Sequence, residues 1–155
     1  MPEPDPFLTK KEKEMNQIVA FNQSSFAQLL KMTITDAHDG YSRVLMECSQ
    51  ILNPHAVVHG GAIFAVADQA FGIAANCDGS DRVAVSVHIQ YIAPATGTLV
   101  AIANRVADNG RYSTFRVLVY EGERIIAEFD GVALQVSPPP RKNMWYKPDP
   151  GEGLF

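Results

Sequence analysis

The stretch Asn53-Pro54-His55-Ala56-Val57-Val58-His59-Gly60-Gly61 runs straight into Ala62-Ile63-Phe64-Ala65-Val66-Ala67-Asp68-Gln69-Ala70-Phe71-Gly72-Ile73-Ala74-Ala75-Asn76. The second part reads as a helix over 62–76. Of the fourteen residues from Ala62 to Ala75, only Asp68 and Gln69 are strongly polar. A helix apolar nearly all round is a buried helix. An ionised carboxylate within it is costly unless it is hydrogen-bonded or functional. Upstream, Gly60-Gly61 leaves bare backbone N–H groups at the helix N-terminus, where negative charge is favoured. One stretch thus joins an anion-binding end to an expensive acid, and that pairing points to an enzyme.

The flanking sequence supplies the partners of this helix. Thr9-Lys10-Lys11-Glu12 has the form of a capping box, so a helix is expected from about Lys10 to Ala20. Ser25-Phe26-Ala27-Gln28 suggests a second short helix ending near Leu30. From Lys31 the period changes to two, with strands expected at about 31–37 and 41–49 around His38-Asp39-Gly40. After the long helix, Val83, Val85, Val87, Ile89 and Tyr91 alternate with polar or small residues, as in a half-buried strand. Further strands are expected over Leu99–Val106, Thr114–Tyr120 and Arg124–Val136, with Asp108-Asn109-Gly110 as a hairpin turn. A long helix set in an antiparallel meander, without βαβ alternation, is an α+β plan. Its small residues would let a sheet wrap closely around it. The domain is expected over 31–136, with an N-terminal arm and helices over 1–30 and a Pro-rich tail over 137–155.

Composition narrows the function. The 155 residues, 46% hydrophobic and 19% charged, suit one globular domain. The net charge of -4 argues against a nucleic-acid binder. Cys48 and Cys77 fit no metal or redox spacing and read as reduced thiols. With an acidic, proline-rich start and no signal peptide, the expected location is cytoplasmic. The helix is too short, and too interrupted by Asp68, to cross a membrane. His55 and His59 are four apart but no third ligand is placed, so no metal is expected. His38 and His88 read as surface or interface residues, and Cys77 as packing.

Gly60 and Asp68 are eight residues apart, roughly 12 Å along a helix at 1.5 Å per residue. An oxyanion donor and a catalytic carboxylate must both lie within about 3 Å of one reacting group. One copy of the helix cannot place both there. Two antiparallel copies about a two-fold axis can. If both residues are catalytic, a homodimer with two composite sites is expected.

Asn53, His59-Gly60-Gly61, Ala67-Asp68 and Ala74-Ala75-Asn76, together with Tyr91-Ile92-Ala93-Pro94-Ala95, Gly97, Asn109-Gly110-Arg111 and Ile126-Ala127, resemble the hotdog-fold acyl-CoA thioesterases of the phenylacetate-pathway (PaaI-like) type. The resemblance covers about residues 30–136. It implies a long helix gripped by a curved antiparallel sheet, sites at a dimer interface, and a dimer of dimers. The implied reaction is hydrolysis of acyl-CoA or aryl-CoA thioesters, with coenzyme A as part of the substrate and no separate cofactor. The Gly60 N–H would polarise the thioester carbonyl, and Asp68 would act as general base or nucleophile. Asn53 would hold the water or the carbonyl, and His59 would shape that end of the pocket. The resemblance also implies a polar helper on the strand after the helix. Counting back from Tyr91-Ile92-Ala93-Pro94 lands on Ala84. Ser86, two residues on and on the same face by strand period, is the expected helper. Gly61, Gln69 and Arg111 are substrate-binding candidates; for Arg111 the alternatives are a contact to a coenzyme A phosphate or a solvated loop charge.

Two other functions compete. A hotdog hydratase would pair His with an acid in a differently spaced motif, and here the expected acid position holds Val57. A non-catalytic acyl-CoA sensor would use the same fold without needing Asp68.

Overall fold

The computed structural model describes residues 7–136. The expected tail over 137–155 and the first six residues of the N-terminal arm lie outside the described residues. Thr9 accepts from the Glu12 N–H while Glu12 accepts from the Thr9 N–H at 2.8 Å, so the capping box starts α1 (Lys10–Asn22). Ser24 caps the short α2 (Ser25–Leu29). Then come β1 (Met32–His38), β2 (Tyr41–Met46), α3 (Gly60–Asn76), β3 (Arg82–Tyr91), β4 (Leu99–Asp108), β5 (Tyr112–Glu121) and β6 (Arg124–Gln135).

All six strands form one antiparallel sheet in the order β1-β2-β4-β5-β6-β3. α3 crosses its inner face, packed against β2, β4 and β5, as the α+β plan expects. Register shifts leave an extra residue in β1, β3, β4 and β6, and such bulges bend a sheet. The core under the helix is aromatic: the Phe71 ring lies 5.4 Å from that of Phe115 and 5.7 Å from that of Phe129. Glycine at 131 makes room for the Phe71 ring, since a Cβ there would meet it at 2.9 Å and force the ring to shift. Ser42, buried on β2, donates to the Ala70 carbonyl at 2.7 Å and fastens helix to sheet. Such a bond contributes about 1 kcal/mol net. On the far side of α3, Gln69 Nε2 donates to the Phe21 carbonyl of α1 at 3.3 Å.

Four sequence expectations shift. α3 begins at Gly60, two residues before Ala62, and α1 runs on to Asn22. β2 stops at Met46, although Cys48 remains buried. β3 is not half-buried: Val83, Val85 and Val87 are 41%, 49% and 39% exposed. The reason is position. β3 is an outer strand of the sheet, bonded to β6 alone, so its alternating valines meet solvent on both faces.

Candidate active site

The site is built from the loop before α3 and the end of β3. Asn53 organises the loop. Its Oδ1 accepts from the His55 N–H at 2.9 Å and the Val57 N–H at 3.4 Å, and its own N–H donates to the Val57 carbonyl at 2.8 Å. The loop closes through a bridge between Leu52 and Val58, with Ala56 at positive φ. With Oδ1 committed, the Asn53 amide NH2 is the group left for a ligand.

His59 is the N-cap of α3, and its Nδ1 accepts from the Gly61 N–H at 2.9 Å. An imidazole is an uncommon cap, which is why the sequence pattern places the helix start later. The first-turn donors can be followed one by one. The Gly61 N–H goes to His59 Nδ1, and the Ala62 and Ile63 N–H groups both go to the His59 carbonyl, at 2.9 and 3.2 Å. Gly60 is left: among the described residues its N–H has no acceptor. It is the one spare donor of that turn, at the positive end of a seventeen-residue helix.

Gly60 lines a cleft of about 310 Å³ with Asn53, Val58, Ile63, Tyr91 and Pro94. Apolar side chains of Val58, Ile63 and Pro94 and polar groups of Asn53, Gly60 and Tyr91 share its surface in similar measure. Tyr91 closes one side. Its hydroxyl donates to the Gly60 carbonyl at 3.1 Å, and its ring lies where a Cβ on Gly60 would meet it at 3.5 Å. The sequence places Tyr91 on the strand and in the family-like Tyr91–Ala95 segment, but assigns it no role at the site. The contact spans thirty-one residues of chain, and no local pattern announces it.

Asp68 is half-buried in the middle of α3. Burial raises its pKa above the ordinary carboxylate value. Among the described residues no hydrogen bond or ion pair compensates the carboxylate. Continuous helix joins Asp68 to Gly60, so the roughly 12 Å separation stands within one chain.

The other candidates are placed elsewhere. Gln69 turns to α1, away from the cleft. Arg111 sits in the β4–β5 hairpin with its guanidinium 5.7 Å from the centre of the Tyr112 ring. Its carbonyl accepts from Gln135, which pairs with Arg82, at the helix C-terminal end of the sheet. Within one chain that is the end opposite Gly60. Ser86 does not share a face with Ala84. Ala84 stands opposite buried Ala133, whereas Ser86 stands opposite Val132, its neighbour on the other face. The bulge at Val85 breaks the count of two. Ser86 therefore lines a shallow cleft of about 250 Å³ on the outer face, beside His88, Arg116 and Asp130. Groups of three or more metal-ligating residues are absent among the described residues, and none of their helices is long and apolar enough to cross a membrane.

This geometry has known counterparts. The family model described as "Thioesterase superfamily" matches residues 55–127. A Deinococcus radiodurans protein named "Putative esterase" is 36% identical over 112 residues, 69% of this chain and 76% of that protein. The acyl-coenzyme A thioesterase PaaI of Escherichia coli is 29% identical over 120 residues, 75% of this chain and 86% of that enzyme. The solved structure of the E. coli PaaI protein from the phenylacetic acid degradation operon superposes with a TM-score of 0.77 at 26% identity, covering 83% of this chain and 96% of that one.

Proposed function

We propose, because this chain belongs to the thioesterase superfamily and is a hotdog-fold thioester hydrolase of the PaaI-like type, that it hydrolyses acyl-CoA or aryl-CoA thioesters with Asp68 and Gly60 as its reacting groups. The observation that carries this reading is the uncompensated Asp68 carboxylate in the same helix as the spare Gly60 N–H. The thioester carbonyl oxygen takes the Gly60 N–H, and the Asn53 amide steadies the water or the carbonyl beside it. Asp68 takes a proton from the attacking water, whose oxygen bonds to the carbonyl carbon. Negative charge builds on the carbonyl oxygen against the helix N-terminus, where a fixed donor is most effective. The C–S bond then breaks, and the coenzyme A thiolate leaves with that proton as free thiol. A raised pKa suits a base working near neutral pH. The apolar walls of Val58, Ile63 and Pro94 suit an acyl or aryl group.

The roughly 12 Å gap leaves each chain with two halves of different sites. A second copy, related by a two-fold axis perpendicular to α3 so that the two helices run antiparallel, brings its Asp68 to this Gly60. The free edge of β3, with valines exposed on both faces, supports such a seam. A pure acyl-CoA sensor would have no use for an uncompensated carboxylate, which favours catalysis over binding alone.

Thiol release from phenylacetyl-, benzoyl-, short-chain and medium-chain CoA esters tests the reading. Asp68→Ala should lower turnover at least about 10²-fold on whichever ester is cleaved, the scale of losing a general base. Wild-type turnover in that variant would reject the mechanism.

A further inference from the structure

We propose that Tyr91 and His59 act together as positioning residues that clamp the Gly60–Gly61 peptide and so aim the Gly60 N–H; this rests on the reading of that N–H as the oxyanion donor. Two consecutive glycines are the loosest backbone a chain can offer. An oxyanion donor must be set before the charge develops, so a Gly-Gly helix start needs outside support. Here it is held on both sides. The Gly60 carbonyl accepts from the Tyr91 hydroxyl at 3.1 Å, and the N–H of the same peptide unit donates to His59 Nδ1 at 2.9 Å. A peptide unit is planar, so holding its oxygen and its hydrogen fixes the plane.

The preceding peptide, which carries the Gly60 N–H, is anchored through its own oxygen. The His59 carbonyl accepts from Ala62 and Ile63. The two planes that meet at Gly60 are thus both pinned, and the one donor left unbonded points from a fixed frame. Tyr91 is also the only hydroxyl on the inner face of β3. Ala84, Val87, Ile89 and Tyr91 stand opposite Ala133, Gly131, Phe129 and Ala127, which are all buried. The other polar side chain on that face, Arg82, donates to the Ala75 carbonyl at the opposite end of α3, so Tyr91 alone of that strand reaches the helix N-terminus with a polar atom.

Tyr91→Phe keeps the ring and deletes the bond. It should lower kcat roughly tenfold, since small misplacements of a reacting group are expensive, and leave KM within about twofold. The Gly61 amide should exchange hydrogen faster than in the wild type. A role in stability alone would lower Tm without changing kcat of the folded enzyme. His59→Ala should lose kcat similarly, and His59→Asn should restore it, because an Asn cap also accepts from the first turn. Wild-type kcat in Tyr91→Phe, unchanged Gly61 exchange, or equal loss in His59→Asn and His59→Ala would each overturn the clamp. A wild-type enzyme silent on every ester overturns the proposed function instead, and the exchange comparison still decides the clamp.

Discussion

The residue-scale test of the oxyanion donor is to delete one hydrogen without moving the backbone, and Gly60 permits this. It is the first helical residue, where proline is at home because it needs no intrahelical donor. His59 before it has φ -60 and ψ 134, the extended geometry that a following proline requires. The Tyr91 ring would sit 3.5 Å from the new Cβ, an ordinary contact. Gly60→Pro should therefore fold with a near-native Tm and lose about 10²–10³-fold in kcat, as for removal of one oxyanion-hole donor. A Gly60→Pro enzyme within a few-fold of wild type would move the donor elsewhere. Asp68 offers a second test, in stability. Burial raises its folded pKa, so the folded state holds its proton longer than the unfolded chain does. The carboxylate then costs stability above the folded pKa, progressively less as pH falls, and nothing below the ordinary value near 3.8. Asp68→Asn should raise Tm at neutral pH, with the gain vanishing toward pH 3. An Asn variant less stable than wild type at pH 7 would mean that the carboxylate is compensated after all.

At the scale of elements, the sequence announces most of what α3 and its sheet become. The apolar run predicts a buried helix, and the period of two predicts the strands that grip it. Two features escape, each for a physical reason. The helix start is hidden because an imidazole does the work that Ser, Thr, Asp or Asn usually does. The facing of Ser86 is hidden because one unpaired residue, Val85, shifts the phase of β3, and a bulge leaves little mark in a row of alternating valines. The catalytic candidates on α3 are legible because an acid in an alanine-rich helix is out of place. Tyr91 is not, because its bond to Gly60 exists only once the sheet has curled. The free edge of β3 makes its own prediction. A charge on an edge strand blocks pairing with another strand, so Val85→Lys should convert a dimer to a folded monomer with sharply reduced activity. Sedimentation of an intact, fully active Val85→Lys dimer would remove β3 from the seam.

For the whole molecule, the question is whether each site belongs to one chain or to two. In the proposed composite site, Asp68→Ala and Gly60→Pro each remove one half. In a heterodimer of the two, the Gly60 of one chain faces the Asp68 of the other, and both lesions fall in the second site. Heterodimers purified through two different tags should then recover about half of the wild-type turnover, because a two-fold dimer has two equivalent sites. No recovery would mean that each chain completes its own site.

The bulge in β3 also fixes where this strand can change length. Val85 has no partner on β6, while Ala84 and Ser86 face the adjacent residues Ala133 and Val132. Deleting Val85 would close the ladder and leave every other pair in place, with Tyr91 still delivered to Gly60. A deletion elsewhere in the strand can be absorbed only by drawing Val85 into the ladder and turning the residues between through to the opposite face. Insertions and deletions among relatives therefore belong at this one point. A gap placed anywhere else along β3 would equate an interior residue of one protein with a surface residue of the next.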